Sequence, residues 1–289
     1  DLKPSISGLD LLNSIRRHPP FETGHSRLDH CLWNGSIKQS SPSFASTQAV
    51  PPKLFGLSRR QHLQIEGPPG AGKTKLALGL AIRGRAASVS YGDERLDNVV
   101  EVLFIVRSLI QSEYSDSSVP NLIDKILSGV HLVRITSSAE LGFFFKNLPR
   151  WLERNNKVKL IVLDSITAHT RYVSMSINDR SIIASIVRDG LMIASSRYSC
   201  AIVVTTQLTT KLSGRGAILI TPDFQSNAWS TTKMWRTVLA YNQDGSRRAV
   251  VAVNDRSNQL FKFEPITFEI DSIGIYDPES LIQNTQNTN

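Results

Sequence analysis

Leu63-Gln-Ile-Glu66, Gly67-Pro-Pro-Gly-Ala-Gly-Lys-Thr74 and Lys75-Leu-Ala-Leu-Gly-Leu-Ala-Ile82 follow one another without a break: an apolar stretch, a glycine-proline turn and a helix-forming stretch. The middle segment matches G-x-x-x-x-G-K-[ST] in the strand–loop–helix setting that this spacing requires. A Gly/Pro turn ahead of an ordinary helix would need neither the lysine nor the threonine. Glycines let successive backbone N–H groups converge on phosphate oxygens, and the helix that follows adds the positive end of its dipole. Lys73 is placed to reach the β- and γ-phosphates, and the Thr74 hydroxyl to ligate Mg²⁺. The cofactors expected are therefore ATP and Mg²⁺, cradled by Gly67, Pro68, Pro69, Gly70, Ala71, Gly72, Lys73 and Thr74.

Working outward, short apolar strands alternate with helical patterns. Strands are expected at 62–66, 87–91, 130–134, 158–164 and 200–205, with helices at 73–83, 98–112, 139–155 and 178–196. That alternation signals βαβ units around a buried, mainly parallel sheet flanked by helices. After about residue 235 the texture turns to strands alone, at 237–242, 249–254, 260–263 and 267–270, with Asp244-Gly245 as a hairpin turn. The fold class is α/β: a phosphate-loop core extended by C-terminal antiparallel strands. Ahead of it come short helical pieces at 9–15 and 28–33, then a Ser-, Pro- and Gln-rich stretch at 36–52. The expected organisation is an N-terminal lead at 1–35, a flexible insertion at 36–58, the core at 59–277 and a disordered tail at 278–289.

Across 289 residues, 40% are hydrophobic and 20% charged, an ordinary globular composition. The longest apolar runs, near 99–106 and 160–163, fall far short of the roughly 20 residues of a membrane helix. No membrane partner is expected. Two cysteines, Cys31 and Cys200, are too few for a disulfide framework and suit a reducing compartment. No Cys/His spacing suggests zinc. Thirty-three Lys and Arg against 25 Asp and Glu leave +8, which permits nucleic acid or an acidic surface as partner.

Three further positions belong with the phosphate loop. Leu160-Ile-Val-Leu-Asp-Ser165 is a buried strand that ends in a carboxylate, which makes Asp164 the candidate second partner of the metal. Hydrolysis needs a base within reach of the attacking water. Val89-Ser-Tyr-Gly-Asp-Glu94, following the expected strand at 87–91, offers Glu94, with Asp93 as competitor and a solvated acidic turn as the plain alternative. Gln207 closes Ala201-Ile-Val-Val-Thr-Thr-Gln207. Its neutral amide is placed to sense the γ-phosphate, or simply to bond backbone. Lys73, Glu94 and Gln207 form the candidate catalytic set.

This order of motifs resembles the RecA-type recombinase superfamily, and most closely the eukaryotic strand-exchange recombinases and their paralogues. Phe21-Glu-Thr-Gly24 with Leu28-Asp29 is similar to the lead-in to that family's ATPase core. The phosphate loop and LIVLDSI resemble its two Walker segments, and VVTTQL the strand before its second DNA-binding loop. Ala228-Trp229, Thr232-Lys-Met234, the hairpin with Arg247-Arg248, Phe268-Glu-Ile270 and Gly274-Ile-Tyr-Asp277 resemble its closing strands. The resemblance implies an ATP-dependent single-stranded DNA-binding protein of homologous recombination, located in the nucleus. It implies DNA-facing loops at about 171–180 and 208–230, the second ordering only on binding, with Arg171, Arg180, Lys211 and Arg215 as phosphate contacts. Residues 207–262 hold eight Lys/Arg against three Asp/Glu, so five of the net +8 lie there.

Departures from the family pattern narrow the reading. SYGDE stands where the family has Y-I-D-T-E, and the insertion interrupts the lead-in. No N-terminal helix-hairpin-helix domain is recognisable, and Phe44-Ala-Ser-Thr47 does not fit the F-x-x-A oligomerisation motif. They favour a divergent paralogue: a DNA-dependent ATPase of weak turnover that assists recombinase loading in double-strand-break repair. Its expected partners are other paralogues or the principal recombinase, in a hetero-oligomer. Two alternatives stay open, a structural subunit with a weak or silent ATPase that scaffolds a repair complex, and a small-molecule kinase.

Overall fold

In the computed structural model, residues 20–34, 55–90, 100–107, 120–170, 176–213, 216–220, 234–254, 260–262, 264–270 and 274–278 are described. A ten-stranded sheet dominates. Its order is β12 (Ile275–Tyr276), β11 (Ile266–Ile270), β9 (Arg247–Asn254), β8 (Met234–Tyr241), β1 (His62–Gly67), β5 (Ala201–Gln207), β4 (Val158–Asp164), β2 (Glu101–Val106) and β3 (Val130–Arg134). β10 (Leu260–Lys262) pairs with β9 off this path. From β8 to β3 every neighbouring pair is parallel, while β9, β10, β11 and β12 join antiparallel. The mixed sheet with its parallel centre and antiparallel C-terminal extension is the α/β architecture expected from the sequence.

Alternation along the central strands feeds two apolar layers. Leu160, Val162, Val203 and Leu63 face one side, with Leu76, Ala77 and Leu80 of α2 (Lys73–Ser90) and Leu28 and Leu32 of α1 (Ser26–Asn34). Ile161, Leu163, Ile202 and Val204 face the other. There they meet Leu141, Phe145 and Leu148 of α4 (Ser138–Arg154) and Val187 and Leu191 of α6 (Ile177–Tyr198). A strand buried on both faces has no polar side to show, which is why LIVL and AIVV read as unbroken apolar runs. Ser137 and Glu140 close a capping box at the start of α4.

Two expected elements are corrected. Residues 87–90 are not strand but the end of α2, and the helix expected at 98–112 gives way to β2. The cause is tertiary. Arg85, almost fully buried, donates from Nη1 to the Val100 carbonyl, from Nη2 to Lys125 and from Nε to Ile126. Those bonds reward carrying the helix through Arg85, beyond its expected end, and tie its last turns to the start of β2 and the end of α3 (Pro120–Leu127). Val102-Leu-Phe-Ile105 is then buried between β3 and β4, where β-branched and aromatic residues pack well. Helix α3, and the hairpin of β6 (Thr209–Ser213) and β7 (Gly216–Ile220), were not expected as regular elements. That hairpin lies where a loop ordering only on binding was expected. The helix expected at 9–15 and the insertion at 36–52 lie outside the described residues.

Helices α4 and α6 cross closely at Gly190, where an added Cβ would stand 2.9 Å from the Phe145 carbonyl oxygen. Gly190→Ala should therefore lower the unfolding free energy by about 1–3 kcal/mol, opposite in sign to the gain of about 1 kcal/mol expected in an open helix. Thermal or urea melts read the sign directly. His62 is buried and its pKa depressed by that burial to about 4. The unfolded chain takes up this proton near pH 6.5 and the folded one only near 4, so stability contributed by the neutral imidazole falls as pH drops through that window. His62→Gln should flatten that part of the stability–pH profile.

Candidate nucleotide site

The phosphate loop leaves β1 and turns into α2 through two positive-φ glycines, Gly70 at 78° and Gly72 at 99°. At Gly72 the positive φ favours glycine, and a Cβ there would meet Cδ1 of Ile270 on β11, so the antiparallel extension packs against the loop. Lys73 Nζ donates to the carbonyls of Gly67, at 2.9 Å, and Pro68, at 2.7 Å. Its charge is therefore held at the mouth of the loop. Hard oxygen donors, the Thr74 hydroxyl and the Asp164 carboxylate, match what Mg²⁺ takes from protein beside nucleotide phosphates.

β1, β5 and β4 are consecutive neighbours, so their carboxyl ends stand side by side. Gly67 pairs with Gln207, and two strand spacings of about 4.8 Å separate β1 from β4. Asp164 accepts a short hydrogen bond from the Thr205 hydroxyl, which orients its carboxylate along this edge. The Leu208 N–H donates to the Gly67 carbonyl at 3.1 Å, and the Gln207 N–H donates to the Thr167 hydroxyl oxygen at 3.2 Å. The sequence reading of Gly67–Thr74, Asp164 and Gln207 thus converges on one edge.

Other expected residues stand differently. Asp93 and Glu94 lie outside the described residues, and the strand from which they were to emerge is helix α2. The strand beside β4 is β2, whose last residue Val106 pairs with Asp164. The next residue is Arg107, a guanidinium at the edge where the base was expected. Its Nη1 donates to the Ala168 carbonyl at 2.8 Å. Arg180 lies in the first turn of α6 and Lys211 in β6. Arg171 and Arg215 lie outside the described residues.

Several participants were not singled out from the sequence. Thr167 and Ala168 belong to α5 (Ile166–Thr170), which follows Asp164 at once. His169, in the same helix, is fully buried; burial and the Arg107 cation depress its pKa to about 4, so it is neutral beside the site. Asp29 accepts the Thr23 N–H at 2.7 Å, which gives the T-G…L-D motif a structural role, while burial raises its carboxyl to about 7. Glu66, 1% exposed, is gripped by Arg236 of β8 through Nε at 3.0 Å and Nη2 at 2.8 Å. An acid at the last position before Gly67 was visible; its partner, 170 residues away, follows only from the β1–β8 register. Arg236→Leu should cost about 3–5 kcal/mol, because it strands a buried charge beneath the loop. Glu66→Gln combined with Arg236→Leu should recover much of that in denaturant melts.

No protein-family model matches the chain. It is 28% identical over 212 residues to "DNA repair protein RAD51 homolog 3" of Dictyostelium discoideum, covering 65% of this chain and 54% of that protein. The protein of the same name from Cricetulus griseus is 23% identical over 185 residues, 57% of this chain and 50% of that one. "DNA repair protein RAD51 homolog 2" of Homo sapiens is 26% identical over 254 residues, 73% and 64% of the two chains. The chain thus spans about half the length of the first two relatives. In sequence the chain is similar to these recombinase paralogues, and its motif order and mainly parallel α/β sheet are consistent with the RecA-type pattern.

Proposed function

We propose that the chain is an ATP-binding subunit of homologous-recombination repair that binds single-stranded DNA and assists recombinase loading. It acts in the nucleus, within a hetero-oligomer of recombinase paralogues. The observation that carries this reading is the convergence of Gly67–Thr74, Gln207 and Asp164 on one strand edge, from which α5 and the β6–β7 hairpin depart. In this reading the loop N–H groups and the Lys73 ammonium hold the nucleotide phosphates. Thr74 and Asp164 hold Mg²⁺, which when bound neutralises phosphate charge. Gln207 senses the γ-phosphate and passes its presence to the hairpin. Arg171, Arg180, Lys211 and Arg215 contact DNA phosphates.

Turnover is weak in this reading. In this reading the carboxylate base is Glu94 or Asp93, while the strand end beside Asp164 bears Arg107. A fixed guanidinium there cannot accept a proton from water. The same residue favours the second reading, a scaffold subunit that holds ATP without hydrolysing it.

Lys73→Ala should weaken ATP binding by about tenfold to a hundredfold, the worth of charge-assisted hydrogen bonds to phosphate. Nucleotide titration read by a fluorescent ATP analogue measures this, and unchanged affinity would sink the nucleotide site. Turnover with and without single-stranded DNA, for the chain alone and with co-purifying partners, separates the two readings. Glu94→Gln abolishes any turnover if Glu94 is the base. DNA affinity should fall steeply with added salt, and neutralising Arg171, Arg180, Lys211 or Arg215 should each lower the slope of log K against log salt by about 0.7. Salt-independent binding would remove the DNA contacts from the reading.

A further inference from the structure

Two consecutive backbone N–H groups at the end of β5 point to opposite neighbours. That of Leu208 goes to the Gly67 carbonyl of the phosphate loop, and that of Gln207 to the Thr167 hydroxyl of α5. Thr167 is 1% exposed, and its hydroxyl also donates to Ser165 Oγ at 3.2 Å, one residue past Asp164. The following residue, Ala168, accepts from Arg107 at the end of β2. Helix α5 has five residues and is too short to hold its own shape in water. These ties to β5 and β2, together with Ile166 buried in the core, fix it.

We infer that Thr167 is a positioning residue that locks α5 to the end of β5, so that the segments leaving these elements respond to nucleotide together. α5 leads to residues 171–180, and β5 leads to the β6–β7 hairpin. A shift of the Gln207 peptide either carries the Thr167 hydroxyl with it or breaks the part-buried hydrogen bond between them. Breaking it takes an accepted hydrogen bond from the buried Thr167 hydroxyl, the costly outcome. Coupled movement is thus the cheaper response. Because Leu208 is bonded to Gly67, the same peptide also follows the phosphate loop. The inference rests on the proposed reading that nucleotide bound at Gly67–Thr74 controls DNA affinity, and it adds the residue through which both segments are controlled at once.

The test compares wild type, Thr167→Val and Thr167→Ser in the full chain, with a non-hydrolysable ATP analogue and Mg²⁺ as probe. Amide hydrogen exchange is followed over Ile166–Thr170 and over the hairpin strands, beside single-stranded DNA affinity with and without the analogue. In wild type the analogue should slow exchange in both segments. Thr167→Val should bind the analogue with unchanged affinity and protect the hairpin alone, and its nucleotide-dependent gain in DNA affinity should fall about fivefold, one hydrogen bond's worth. Thr167→Ser, which keeps the hydroxyl, should restore both responses. Thermal melts confirm that each variant is folded, and Thr167→Ala, which also lacks the hydroxyl, carries the comparison if the valine variant is not. If wild type protects the hairpin without α5, or Thr167→Val responds like wild type, the coupling is wrong while the nucleotide reading stands. Loss of analogue binding in Thr167→Val would also overturn the positioning role. Protection of neither segment in wild type would overturn the nucleotide reading, and this inference with it.

Discussion

The hydrogen bonding of β1 on both edges is the constraint on which the rest depends. All six of its residues are buried, and β5 and β8 pair with it in parallel. A strand so enclosed cannot slip by one residue without turning its whole apolar set the wrong way. The phosphate loop therefore starts at a fixed height on the sheet. Gln207 is set by the same ladder, through Gly67, and Asp164 by the next, through β5 and β4. The site needs no long-range fitting of loops, because three strand ends in register deliver it.

This enclosure puts a carboxylate, Glu66, where water cannot reach it. Arg236 answers it from β8, and β8 belongs to the C-terminal portion of the sheet. Ile270 of β11 reaches the other side of the same loop at Gly72. The closing strands are thus structural parts of the nucleotide site, although none of their residues was a candidate to touch nucleotide. That accounts for why the loop motif and the distant closing motifs occur together in one chain.

What the sequence revealed, and what it hid, divides by the range of the physics involved. The phosphate loop, LIVLD and AIVVTTQ were legible because each is local: a turn chemistry, or a strand buried on both faces and ended by a polar group. The segment from 84 to 106 was not. Alanine, serine and valine at 86–90 fit a short strand or a helix end, and the apolar run near 99–106 fits either element by periodicity. Arg85 decides between them through three carbonyls that only the tertiary fold brings close. The assignment of Glu94 depended on the strand at 87–91, so its structural premise falls with that strand. Thr167 had no signal at all, since a threonine in a short helix looks like any other until Gln207 is placed beside it.

Arg107 changes the chemistry available at the edge. On the proposed function, nucleotide phosphates and Mg²⁺ bring strong opposite charges there, and a cation bonded to the Ala168 carbonyl is compatible with holding phosphate but not with activating water. Next to it, His169 is kept neutral by burial and by that same cation, so it adds no second positive charge and, fully enclosed, has no water to deprotonate. Arg107 bonds α5, and His169 belongs to it. The edge beside Asp164 is therefore built to hold a helix in place, and a site whose surroundings are spent on holding position suits a nucleotide that acts by staying bound. On the proposed function, occupancy more than hydrolysis is the signal passed from the phosphate loop to the segments beyond β4 and β5.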